Sequence, residues 1–223
     1  MITILMPVYN GIEYLDKSIA SVVSQTYPYW NIIIGINGHP KNSDIYKKAK
    51  KMSNSKIRVI DFYYLNNKVD TLIEMNKLVK NKYICLLDVD DIWNKNKLME
   101  QIKYINKYDI IGTKTQYFDQ NNEIPHIPTG DLSNFDFFKG NPIINSSVLM
   151  KKKLLVYNTD KNIKEIESYG LEDYSLWMKL KKLNFKFYNV DKILTYHRIH
   201  NTSFFNNKNS NNNLIDLIKD LYR

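Results

Sequence analysis

Apolar and polar positions alternate along the first half of the chain in blocks whose period separates strands from helices. Ile2–Val8 is a short apolar run that ends in Pro7 and a turn, the pattern of a buried strand. After it, Ile12, Leu15, Ile19, Val22 and Val23 recur at helical spacing. Asn10 is the expected cap there, with Glu13 three residues on, a capping-box-like start. The same reading predicts strands over 31–36, 57–64 and 83–87 and a short polar helix over 43–52. It also predicts a helix capped by Asp70, with Leu72, Met75 and Val79 on one face. A further helix over 95–108 carries Leu98, Ile102 and Ile105.

Such alternation with short turns predicts an α/β fold whose parallel sheet is covered on both faces. Sheets of this kind bind ligands beyond the carboxyl ends of their strands. Residues 7–11, 37–39 and 88–91 all fall at such ends, so one crevice can hold all three. Beyond residue 110 the pattern loosens. Short strands are predicted over 116–119 and 146–151, on either side of a stretch at 125–140 that carries Pro and Gly. A helix over 172–184 groups Leu176, Leu180 and Leu183, with Trp177 beside them. Strands over 185–190 and 193–196 follow, then a polar loop at 206–213 and a helix at 214–222.

Composition narrows the class. Across 223 residues, 43% hydrophobic and 25% charged content fits a folded globular chain rather than a disordered one. Lys and Arg outnumber Asp and Glu by 32 to 23, a net charge of +9 that favours anionic partners such as nucleotides or diphosphates. A single cysteine, Cys85, excludes an internal disulfide and a Cys-based zinc cage. No apolar run is long enough for a membrane span, and no basic leader precedes Ile2. The expectation is a cytoplasmic protein, at most peripheral to a membrane. Basic residues interleaved with aromatics in a nucleic-acid pattern are not found, so no nucleic-acid partner is expected.

Three clusters carry candidate chemistry. Asp88, Asp90 and Asp91 follow an apolar strand and repel one another unless a cation neutralises them. Hard oxygen ligands of this kind suit Mg2+ or Mn2+, and the plain alternative is a solvated turn capping the next helix. Glu172-Asp173 stands at a helix start, where acidic residues also serve as caps; the functional alternative is a general base. His197, Arg198 and His200 offer imidazoles for a metal and a forked donor for phosphate, against a default of surface residues without a role.

Together these segments resemble family 2 glycosyltransferases with the GT-A fold. The opening Pro7-Val8-Tyr9-Asn10-Gly11 and the stretch from Ser18 to Tyr27 look like that family's start. Lys82 to Trp93, containing Asp88-Val89-Asp90-Asp91, is similar to its DXD strand and turn. Leu171-Glu172-Asp173-Tyr174-Ser175-Leu176-Trp177 resembles its "ED" motif, and His197-Arg198-Ile199-His200-Asn201-Thr202-Ser203 its late Arg-x-His segment. The motifs keep the family's order and cover about residues 2–205.

The resemblance implies a GT-A domain with a Rossmann-like, mostly parallel central sheet flanked by helices. Residues 1–110 would form the nucleotide-sugar half and 111–205 the acceptor and catalytic-base half, with 206–223 a polar loop and helix. It implies metal-dependent, inverting transfer of a hexosyl group, with UDP-sugar as donor and a glycan, lipid-linked or protein hydroxyl as acceptor. Pro7, Tyr9 and Asn10 would border the nucleotide, Asp88 would sit near ribose or metal, and Asp90 would be the main Mn2+ or Mg2+ ligand. Asp91 would support the metal or cap the next helix. His200 would approach the diphosphate–metal cluster, and Arg198 would meet phosphate. Asp173 would be the base, with Glu172 beside it, and Asn145-Ser146 would lie on the acceptor side.

Two departures stand out. Where the family ends its second strand with two acidic residues, this chain has Ile36 and Asn37, so that an amide would meet the base edge. Where the family places an Arg before the DXD strand, this chain has Glu74-Met75-Asn76, and Lys68 is the candidate substitute. The rival classes are a sugar-phosphate nucleotidyltransferase and a non-catalytic nucleotide- or nucleic-acid-binding protein. The first normally has a Gly-rich basic loop after strand one, where Tyr9-Asn10-Gly11-Ile12-Glu13 stands here.

Overall fold

A computed structural model describes residues 1–158, 163, 170–200 and 208–223. Four parallel strands open the chain: β1 (Ile2–Val8), β2 (Trp30–Asn37), β3 (Ile57–Phe62) and β4 (Tyr83–Leu86). Between them run α1 (Leu15–Val23), α2 (Asp44–Lys50) and α3 (Lys68–Lys77). Every residue of β1 is buried, because alternate side chains enter different cores: Leu5 packs on one face of the sheet, Ile4 and Met6 on the other. This is why the strand reads as an unbroken apolar run.

The second half joins the same sheet. After β5 (Ile92–Trp93) and α4 (Lys97–Gln101) come β6 (Ile110–Asp119), β7 (Gly130–Asp131) and β8 (Leu149–Lys151). They are followed by α5 (Glu172–Lys182), β9 (Phe187–Ile199) and α6 (Lys208–Tyr222). The strand order is β3-β2-β1-β4-β8-β6-β9-β5, with β7 on β9. Antiparallel β8 therefore stitches the parallel first half, through β4, to the parallel β6–β9 pair. The outcome is the expected α/β architecture with a central sheet flanked by helices. Among the described residues no helix is long and apolar enough to cross a membrane.

Several local expectations are corrected. Asn10 does not cap α1: Gly11 turns the chain at φ 85°, and the helix starts at Leu15 after Tyr14, without a side-chain cap. α3 is capped by Asn67, whose Oδ1 accepts from the Asp70 N–H at 2.8 Å, so Asp70 is the receiver and not the cap. The predicted helix over 95–108 is split into α4 and a 3-10 turn at Ile102–Tyr104. β6 begins six residues earlier than expected, because Gly112 and Thr113, polar in pattern, are buried inside the sheet. The two strands expected over 185–196 are one, β9; register shifts opposite Thr113–Thr115 absorb the polar Asp191-Lys192 pair. The described part of the expected polar loop, from Lys208, is already helix, and 206–207 lies outside the described residues.

One inner contact matters for the site. Asn189 on β9 donates to the Pro128 and Pro142 carbonyls at 2.7 and 2.8 Å, tying down the excursion between β6 and β8. Adding a methyl at Gly112 would bring it 2.1 Å from the Asn189 Oδ1 and 3.1 Å from Ile143. Gly112→Ala is therefore expected to destabilise the fold by about 1–3 kcal/mol in urea unfolding.

Candidate active site

β4 ends at Leu86 in the middle of the sheet, and the Leu87 N–H still bonds back to the Leu5 carbonyl. The chain then leaves the sheet as Asp88-Val89-Asp90-Asp91, at the carboxyl ends of the parallel strands. Three aspartates within four residues meet three different surroundings. Asp91 is fully buried: one oxygen accepts from the Arg198 N–H at 2.9 Å, and the other faces His197 Nδ1 at 3.1 Å. Asp90 faces His200 Nε2 at 3.0 Å. Asp88 pairs with Lys68 Nζ at 2.7 Å and accepts from Asn145 Nδ2 at 3.1 and 3.0 Å.

Their charges separate accordingly. Burial alone would raise Asp88, but the Lys68 ammonium outweighs it and holds the carboxyl below its usual range. For Asp90 the balance goes the other way: burial, then the Asp91 and Asp88 carboxylates, push it up to about 6 against smaller pulls from His200 and His197. For His197, burial is outweighed by Asp91 and the other two aspartates, which push the imidazole up to about 9.

Lys68, at the first position of α3, also reaches across to the second half. Its Nζ lies 2.8 Å from Glu172 Oε1, so one ammonium joins Asp88, just after β4, to Glu172 at the start of α5. Glu172 is buried. Asp173, next in the helix, is held by its own Tyr174 N–H at 2.6 Å and by Asn141 Nδ2 at 3.2 Å. Burial and the neighbouring Glu172 carboxylate push Asp173 up to about 7, against a smaller pull from Lys68. A carboxylate tuned to neutrality suits a proton acceptor working near pH 7.

At the other rim stand the residues expected to border a nucleotide. Pro7 is buried near the end of β1, and Asn10 is exposed in the turn after it. The exposed Tyr9 ring stacks on His39 with centroids 5.5 Å apart. Gly38, at φ 74°, makes room for that ring; a Cβ there would sit 2.0 Å from Tyr9 Cε2. Asn37 is buried at the end of β2, and neither its amide nitrogen nor its oxygen has a partner among the described residues.

Arg198, expected at phosphate, is held by contacts within the protein. Nε donates to the Asp90 carbonyl at 3.0 Å and Nη1 to Asp119 at 2.8 Å, with the guanidinium between the Tyr14 and Phe118 rings at 4.4 Å from each. It braces the acidic turn. Asn145 and Ser146, expected on the acceptor side, hold Asp88: beside the Asn145 contacts, the Asp88 N–H donates to Ser146 Oγ at 3.0 Å. Asn141 and Asp119 carried no motif in the sequence, since they act only through contacts made across the fold.

The residues fit a divalent cation of limited protein ligation. Among the described residues no three His, Cys, Asp or Glu side chains gather as a cage. A Mg2+-like ion that keeps water and phosphate oxygens needs only one or two protein carboxylates. Asp90, facing His200 and crowded by two other carboxylates, has the chemistry such a ligand would need.

Comparison with known proteins adds independent findings. The pattern of Glycosyl transferase family 2 matches residues 3–155. The UDP-Glc:α-D-GlcNAc-diphosphoundecaprenol β-1,3-glucosyltransferase WfaP of Escherichia coli is 26% identical over 215 residues, covering 93% of this chain and 81% of that protein. A putative teichuronic acid biosynthesis glycosyltransferase of Bacillus subtilis, TuaG, is 24% identical over 221 residues, with coverages of 93% and 82%. Among solved structures, S. aureus TarS with UDP-GlcNAc superposes with TM-score 0.71 at 15% identity, over 92% of this chain and 60% of that one. The Pyrobaculum calidifontis mannosyltransferase PcManGT with GDP-Man and Mn2+ gives 0.66 at 11% identity, over 91% of this chain and 58% of that one. The chain thus spans about three fifths of these solved chains, and the likeness to them is one of fold.

The His197–Asp91 pair has a measurable signature. With its pKa raised from 6.5 to about 9 on folding, His197 contributes stability that is complete below pH 6.5 and lost as pH rises through 9. His197→Gln is expected to remove that slope from thermal unfolding of the ligand-free protein between pH 6.5 and 9.

Proposed function

The chain belongs to glycosyl transferase family 2, and from that premise we propose that it moves a hexosyl group from a UDP-sugar to an acceptor hydroxyl with inversion at the anomeric carbon. The single observation that carries this reading is the linked pair of centres beyond the parallel strands. Asp90 with His200 stands on one side and the neutral-tuned Asp173 on the other, joined through Asp88, Lys68 and Glu172. Inverting displacement needs that layout, a cationic centre behind the leaving group and a base in front.

Pro7, Tyr9 and Asn10 border the nucleotide, and the unpartnered Asn37 amide offers both a donor and an acceptor to the base edge. Asp90 and His200, with Asp88 next to them, would hold Mn2+ or Mg2+. Such an ion serves as a Lewis acid for the departing diphosphate. Lys68 adds a positive charge within reach of the same phosphates. Asp173 takes the proton of the acceptor hydroxyl as it attacks, and Asn141 keeps its carboxylate aimed. The relatives' lipid-linked GlcNAc acceptors favour a lipid-linked saccharide over a protein acceptor here. The reading keeps the reaction on the cytoplasmic side with at most peripheral membrane contact, an arrangement that suits a lipid-linked acceptor such as the one WfaP's name gives.

Asp173→Asn is expected to leave UDP–Mn2+ affinity within about two-fold while transfer falls about 10²–10⁴-fold. In the parent protein, transfer is expected to rise about ten-fold per pH unit and level off near 7, where Asp173 has lost its proton. Full transfer by the variant would refute the base. Asp90→Asn is expected to abolish the Mn2+-dependent part of UDP binding in calorimetry, and unchanged Mn2+ dependence would remove Asp90 from the ligand set.

A further inference from the structure

Lys68 has more claimants than one ammonium serves. It already pairs with Asp88 at 2.7 Å and Glu172 at 2.8 Å, and under the proposed function the donor diphosphate is a third. Glu172 is 5% exposed, and among the described residues Lys68 is its only ion-pair partner. If the lysine turned to phosphate with nothing to replace it, a buried carboxylate would be left uncompensated, which is strongly unfavourable.

Tyr157 offers an unused donor in the same part of the fold. Its side chain is 6% exposed, and its hydroxyl is buried with no hydrogen-bond partner among the described residues. It packs in the same apolar cluster as Val69 and Leu171, the sequence neighbours of Lys68 and Glu172. The next residue, Asn158, donates to Ser175 Oγ at 3.4 Å and to the Tyr222 hydroxyl at 3.0 Å, pinning this segment against the first turn of α5. A buried hydroxyl left unpaired costs the free protein stability.

We propose that Tyr157 is a positioning residue for this reaction, whose phenol hydroxyl donates to the Glu172 carboxylate when the donor diphosphate draws Lys68 away. Asp173 then keeps its buried, charged neighbour in place while the cation serves the leaving group. Burial first, then the Glu172 carboxylate, hold the phenol well above its usual pKa, so it remains a proton donor at neutral pH. The inference rests on the donor reading above. A tyrosine present for its ring alone would differ in one respect: loss of its hydroxyl would have the same effect whether or not Lys68 is present.

The test is a double-mutant cycle on the full chain, comparing the parent, Tyr157→Phe, Lys68→Met and the double variant, with Lys68→Gln in reserve should Lys68→Met not fold. In thermal unfolding without ligand, Tyr157→Phe alone is expected to leave the Tm unchanged or raise it by about 2–4 °C. In the Lys68→Met background, where Glu172 already relies on the phenol, the same change is expected to lower the Tm by about 2–4 °C. With UDP and Mn2+ as probes, Tyr157→Phe is expected to weaken binding about ten-fold. Equal shifts in both backgrounds, or a lower Tm for Tyr157→Phe alone, would overturn the inference and leave the glycosyltransferase reading standing. If none of the four proteins binds UDP, the donor reading fails and takes the diphosphate trigger with it, even where the cycle shows coupling.

Discussion

One ammonium holds the two working halves of the molecule to each other. Lys68 lies between a carboxylate that ends the parallel strands and a carboxylate that begins α5, within hydrogen-bond distance of both. Neither partner is far from the protein interior, so the pairing is screened far less than a surface ion pair. Lys68 is also the first residue of α3, the helix that follows β3. Under the proposed function, a donor phosphate would meet a cation whose two present partners are both acids, and its negative charge would compete with theirs.

The fold sets up that competition. β4 stops after four residues, so the acidic turn leaves the sheet while β1 and β2 run on beside it. β8 pairs antiparallel with β4, and the 3-10 turn just before it delivers Asn145 and Ser146 to Asp88. Through Pro142 and Asn189, the same segment is tied to β9, which carries Arg198 and is followed directly by His200. The acidic turn after β4, the 3-10 turn before β8 and the end of β9 are therefore tied by a connected set of backbone and side-chain bonds. Arg198 between Tyr14 and Phe118 closes it on the outer side.

Much of the first half was legible because buried parallel strands are near-continuous apolar runs, and Ile2–Val8 is found with the predicted bounds. The motif residues were legible for another reason: Asp88, Asp90, Glu172 and Asp173 each stand at the edge of an element, where polar groups interrupt apolar periodicity. What escaped was whatever depends on partners distant in the chain. β6 hides in Gly112-Thr113 because those residues are small enough to lie inside the sheet, and α6 begins among asparagines whose helix preference is weak. Arg198 reads as a phosphate ligand by its type; only the structure reveals Asp119 and two rings already around it. Asn145 is the same case in reverse, a residue whose contact lies 57 positions away.

Environment, and not residue type, assigns the acids their work. Asp88 is held low by an adjacent cation, while Asp90, two residues on, is pushed up because its nearest charges are like its own. Asp173 is pushed up by burial and by Glu172, although Lys68 reaches past it to pair with that same glutamate. Groups whose surroundings drive their proton affinities apart mark a division between charge-holding and proton-accepting roles. The lowered carboxylate, Asp88, follows the parallel strands, the raised one, Asp173, is on α5, and Lys68 acts on both to lower them. Under the proposed function, moving that single charge by a few ångströms toward a bound phosphate would release Asp88 and raise the proton affinity of Asp173, because the lysine opposes protonation of both.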